Sequence, residues 1–66
     1  MIILTVREAD GTSTRIVVGC YPPAAKLKKV LQKRGAEVTV TEGDAPERSD
    51  EERQRAAEIL TKIFQA

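Results

Sequence analysis

Two β-branched runs separated by five residues constrain this chain more than any other feature. Ile2-Ile3-Leu4-Thr5-Val6-Arg7-Glu8 and Thr14-Arg15-Ile16-Val17-Val18-Gly19-Cys20 flank Ala9-Asp10-Gly11-Thr12-Ser13. β-Branched side chains favour the pleated strand, and an Asp-Gly pair supplies the turn on which a chain doubles back. The runs therefore predict a β-hairpin. The hydrophobic period then changes. Leu27, Val30 and Leu31 recur at helical spacing after Pro22 and Pro23, and Lys33-Arg34-Gly35 puts cations in a last turn with glycine beyond it, which predicts a helix from Pro23 to Arg34. Ala36 to Thr41 sets Val38 and Val40 between Glu37, Thr39 and Thr41, the period of a half-buried strand. Residues 42–48 read as a polar loop. Ser49-Asp50-Glu51-Glu52 reads as a capping box opening a second helix from Asp50 to Gln65, with Ala56, Ile59, Leu60, Ile63 and Phe64 as its apolar stripe.

The order is ββαβα, and 66 residues fit one domain, residues 1–66. A right-handed crossover through the first helix makes the third strand parallel to the second. Ile2-Ile3-Leu4 is the most apolar stretch and suits a central strand. The expected fold is thus an α+β two-layer sandwich, a three-stranded mixed sheet in the order 2-1-3 with both helices packed on one face. Its core is expected to hold Ile2, Leu4, Val6, Ile16, Val18, Val38 and Val40 against Leu27, Val30, Leu31, Ala56, Leu60, Ile63 and Phe64. Ile3, Thr5, Arg7, Arg15, Val17, Glu37 and Thr39 are expected on the open face.

One cysteine and no histidine leave no internal disulfide and none of the usual structural zinc ligand sets. The lack of histidine also removes the commonest general acid or base. Eleven basic against ten acidic residues give a net charge of +1, so the chain has no global pull toward nucleic acid or anionic lipid. No apolar run approaches the roughly 18–20 residues of a membrane span, and residues 1–7 lack a signal-peptide pattern. A soluble, cytoplasmic chain without membrane partner or cofactor is expected.

Two resemblances add to this reading. The Asp10-Gly11 turn, the helix-to-strand junction from Gln32 to Val40 and the cap Ser49-Asp50-Glu51-Glu52 resemble those of idealised de novo designed α/β mini-proteins. That resemblance implies a scaffold without natural function. Cys20, Tyr21-Pro22-Pro23 and the acidic loop depart from the style. Residues 15–40 are similar to the first half of a glutaredoxin or thioredoxin-like domain, where a strand ends in Cys-x-x-Cys at a helix N-terminus. Here the motif is Cys20-Tyr21-Pro22-Pro23, with proline at the second cysteine position. The resemblance implies only a nucleophilic thiol at Cys20.

From the residues themselves, Cys20 shares strand parity with Ile16 and Val18, which predicts a buried structural thiol; the competing reading is a thiolate favoured by the helix N-terminus and Lys26. Lys26, Lys29 and Lys33, within a helix that also carries Lys28 and Arg34, are candidate phosphate contacts, although two aromatic residues give little base stacking and nucleic acid is disfavoured. Glu42, Asp44, Glu47, Asp50, Glu51 and Glu52 match no calcium-loop spacing and read as loop and helix cap, with no metal site assigned. The remaining signal is surface. A sheet covered on one side leaves free edges and a face carrying Ile3, Thr5, Arg7, Val17 and Thr39. The expected function is a non-enzymatic scaffold or interaction module, forming a homodimer or binding a protein through the open face or the edge of strand 3.

Overall fold

Five elements follow one another along the chain: β1 (Ile2–Arg7), β2 (Ser13–Val18), α1 (Tyr21–Lys33), β3 (Glu37–Glu42) and α2 (Asp50–Gln65). The structure, a computed structural model, describes residues 1–65, with side chains through Ile63. The β1–β2 turn shows why the hairpin forms here. Gly11 donates its N–H to the Glu8 carbonyl and Glu8 donates to the Thr12 carbonyl, both at 2.9 Å. Gly11 sits at φ +90°, left-handed backbone that disfavours any residue with a Cβ. The Asp10 carboxylate accepts the Thr12 N–H at 2.9 Å, a bond that draws the Asp10 pKa below its ordinary value.

The turn from α1 into β3 is equally local. Gly35 donates to the Gln32 carbonyl at 3.0 Å and Ala36 to the Leu31 carbonyl at 3.1 Å, with Gly35 at φ +90°. These two bonds satisfy the last carbonyls of the helix and reverse the chain onto the sheet.

The sheet order is β2-β1-β3. β1 pairs antiparallel with β2, Leu4 opposite Ile16, and antiparallel with β3, Leu4 opposite Val40. The mixed character expected of the sheet thus resolves into two antiparallel ladders: β2 and β3 run parallel to each other, but β1 lies between them. Both helices cover the face of the even-numbered strand residues, α2 against β2 and α1 against all three strands. Ile2, Leu4, Val6 and Ile16 are buried there with Ala24, Leu27, Leu31 and Ala56. Val18, Val38, Val40, Leu60 and Ile63 pack at the margin and are half-buried, because β2 and β3 are edge strands. Val30 is half-buried beside a groove rather than central. Phe64, expected in the core, lies outside the residues whose side chains are described.

Among the described residues Thr14 and Glu52 are the buried polar side chains. Thr14 is 1% exposed, and its hydroxyl has no hydrogen-bond partner, so a donor and acceptor lost to water is left uncompensated. A Thr14→Val substitution keeps the branched shape and removes the orphan group. It is expected to raise stability by about 1 kcal/mol, read as a higher urea midpoint at unchanged m-value; a lower midpoint would show that the hydroxyl is bonded in solution.

Candidate functional site

Cys20 is not a core residue. It is exposed and forms the N-cap of α1 in extended conformation, φ −152° and ψ 163°. The β2 ladder stops at Val18, opposite Ile2 at the start of β1, so strand parity does not extend through Gly19 to the thiol. The anion-holding character expected of a helix start is also weakened. α1 begins at Tyr21, earlier than the Pro23 expected, and its second and third residues are Pro22 and Pro23. Those are the positions whose N–H groups normally bond a capping side chain, and proline has none to offer. The Cys20 side chain accordingly makes no capping bond.

The odd-numbered strand residues share the face away from both helices. The registers set Val17, Ile3 and Thr41 in one row, Arg15, Thr5 and Thr39 in the next, and Ser13, Arg7 and Glu37 in the third. Ile3, Thr5, Arg7, Val17 and Thr39 are therefore brought together as expected. Ile3, Thr5 and Val17 are half-buried, and Arg7 and Thr39 exposed.

Arg15 begins on that face but turns around the outer edge of β2. Its Nε and Nη2 donate to the two carboxylate oxygens of Glu52, each at 2.9 Å, and its backbone N–H donates to Glu52 Oε2 at 2.9 Å. Arg48 Nη1 donates to the Arg15 carbonyl at 2.9 Å, and Arg15 Nη2 reaches the Glu47 carbonyl at 3.2 Å. Both outward backbone groups of Arg15 are thus occupied, and the loop before α2 is fastened to β2. The capping box at Ser49 is half used as read from sequence: Glu52 donates its N–H to the Ser49 hydroxyl at 3.1 Å, while its side chain is spent on Arg15. The guanidinium bonds hold Glu52 well below the usual carboxylate range, at about 2, and Arg15 is shifted up by the same contact.

The opposite edge has no such cover. Gly43 donates to the Met1 carbonyl at 3.0 Å, which sets the phase of the β1–β3 ladder: odd-numbered β3 residues exchange bonds with β1, and Val38, Val40 and Glu42 turn their N–H and C=O groups outward. Among the described residues nothing bonds those groups. Of the other acidic residues, Glu42 accepts the Tyr21 hydroxyl at 3.2 Å, raising the Tyr21 pKa, and Asp50 pairs with Arg53. Glu42, Asp50 and Glu52 therefore serve three separate partners.

Lys26, Lys29 and Lys33 are exposed along one side of α1. Two grooves flank that helix. One, of about 440 Å³, is lined by Pro22, Pro23, Lys26, Leu27, Val30 and Ile63. The other, of about 250 Å³, lies by the hairpin turn, with Val6, Leu31 and Ile59 as its floor and Glu8, Arg34 and Lys62 at its rim. Among the described residues neither groove is lined by Cys20 or by a nucleophile beside a base. Comparison with protein-family models, with curated proteins and with solved structures returned no match.

Proposed function

We propose that this chain is a non-enzymatic interaction module that takes up a partner strand along the outer edge of β3. The carrying observation is the asymmetry of the two sheet edges. β2 has its central backbone groups occupied by Glu52 and Arg48, whereas β3 presents those of Val38, Val40 and Glu42 without a partner among the described residues. An unguarded edge is a template for strand addition, and edges are ordinarily blunted by lysine, proline or a bulge. The run Val38-Thr39-Val40-Thr41 contains none of these and is wholly β-branched. The resemblance to idealised designed mini-proteins supports a scaffold role, since local signals that all serve folding leave the surface for recognition.

Titration of the isotope-labelled protein with the peptide Lys-Val-Thr-Val-Thr-Lys tests this. Backbone amides of Val38, Val40 and Glu42 are expected to shift and gain exchange protection, and Val40→Pro, which removes an outward N–H but no bond of the β1–β3 ladder, is expected to abolish the response. Shifts confined to Ile3, Thr5 and Val17 would place recognition on the open face instead. No shift at millimolar peptide would refute strand addition.

A further inference from the structure

We infer that the strand taken up by β3 is β3 of a second copy, paired antiparallel about Val40 so that Lys28 of each copy meets Glu42 of the other. This rests on the strand-addition reading above and adds the occupant and its register. The register follows from which groups face outward. In an antiparallel pair two outward-facing residues oppose each other, so Val38, Val40 and Glu42 must meet their counterparts among themselves. Centring the pair on Val40 sets Val38 opposite Glu42 of the second copy and Thr39 opposite its Thr41. Glu37 and Glu42 lie on opposite faces of β3, so no carboxylate is placed against another. The threonine pairs continue the open face across a six-stranded sheet, and paired β-branched side chains favour such contacts.

The helix layer supplies the charge complementarity. The Tyr21 hydroxyl on the Glu42 carboxylate fixes the start of α1 beside the end of β3. From that point the helix descends about 1.5 Å per residue and the strand about 3.3 Å, which brings Ala25 level with Val40 and Lys28 level with the stretch Val38–Thr39. Lys28 is seven residues beyond Tyr21, on the same side of the helix. It is half-buried, whereas Lys26, Lys29 and Lys33 are exposed. Its ammonium is thus carried over the β3 edge at the level of Val38, where the register puts Glu42 of the second copy. The two-fold axis repeats the pair. Pairing the β3 strands about 4.8 Å apart sets the two α1 helices on the same face of the joined sheet, and the residue at the axis is the small, exposed Ala25.

Sedimentation equilibrium on the wild type and two charge variants tests the inference. An interface built on one short strand and one helix side is small, so dimer is expected to accumulate between about 10 µM and 1 mM. Lys28→Glu and Glu42→Lys each set like charges together twice and are expected to weaken dimerisation at least about 10-fold. An equimolar mixture of the two restores both pairs and is expected to form a heterodimer within about 3-fold of the wild-type affinity, as is the double variant with itself. Circular dichroism of each variant checks that it is folded. A wild type that stays monomeric at about 1 mM overturns the inference, while strand addition stands or falls separately on the peptide titration. Dimerisation abolished by Val40→Pro but indifferent to both charge changes overturns the register and keeps the edge.

Discussion

Leu4→Ala is expected to remove about 3–4 kcal/mol of stability, the largest single loss in the molecule. Leu4 is fully buried in the central strand, between Ile16 on one side and Val40 on the other, within the cluster shared by Leu27, Leu31 and Ala56. Truncation forfeits the transfer free energy of the lost methyl groups and leaves a cavity that both sheet neighbours and the helices above must close. Neighbours held by ladders on two sides have little freedom to do so. A domain of 66 residues with a single cysteine, and so no internal disulfide, has a total stability of about 3–10 kcal/mol. The melting temperature is therefore expected to fall by about 15–25 °C, and at the lower end of that stability range the variant is substantially unfolded at room temperature. Ile3→Ala is the control: one residue along the same strand, it faces away from the helices and is half-buried, so its cost is expected to stay near 1 kcal/mol. Thermal and urea unfolding followed by circular dichroism measure both. Equal losses at the two positions would contradict a core confined to one face of the sheet.

The difference between those neighbours was legible in the sequence, because strand parity is a period of two and needs no tertiary information. The same holds for the Asp10-Gly11 turn, the Gly35 reversal and the Ser49 cap, each a local bond pattern with a residue type that only a few conformations suit. The order β2-β1-β3 followed from one comparison, that Ile2-Ile3-Leu4 is more apolar than either other strand. Parity failed at Cys20 because a period holds only while the ladder lasts, and the β1–β2 ladder ends at the pair Ile2 and Val18. α1 starts ahead of Pro23 because Pro22 and Pro23 are tolerated within its first turn, where the N–H groups have no partner inside the helix. The Arg15–Glu52 contact was not legible at all. It joins residues 37 apart, and each had a sufficient local role: Arg15 as an exposed strand cation and Glu52 as the back half of a capping box. What the sequence did show was that two edges would be free; which one α2 and its preceding loop would guard depends on where that helix lands.

Neutralising Glu52 is expected to cost about 2 kcal/mol at neutral pH and to remove a specific part of the acid sensitivity of the fold. The Glu52 carboxylate receives three bonds from Arg15, and its side chain is 11% exposed against 39% for Arg15. The full depression from 4.5 to about 2 corresponds to roughly 3 kcal/mol, reduced here because the guanidinium is partly solvated. A carboxylate whose folded pKa lies below its unfolded value stabilises the fold above the unfolded value, and the gain disappears as pH falls through the folded one. The wild-type advantage over Glu52→Gln is thus constant above about pH 5, shrinks between about 4.5 and 2, and vanishes below about 2. Urea midpoints of the two proteins across that range measure it, and because every other acid is common to both, the difference isolates Glu52. A gap independent of pH would show that the glutamate acts through packing rather than charge. Glu52→Ala goes further, since it leaves the Arg15 N–H at the β2 edge without its acceptor. Association resistant to Val40→Pro is then expected to appear in that variant alone, because both edges of the sheet have become available for pairing.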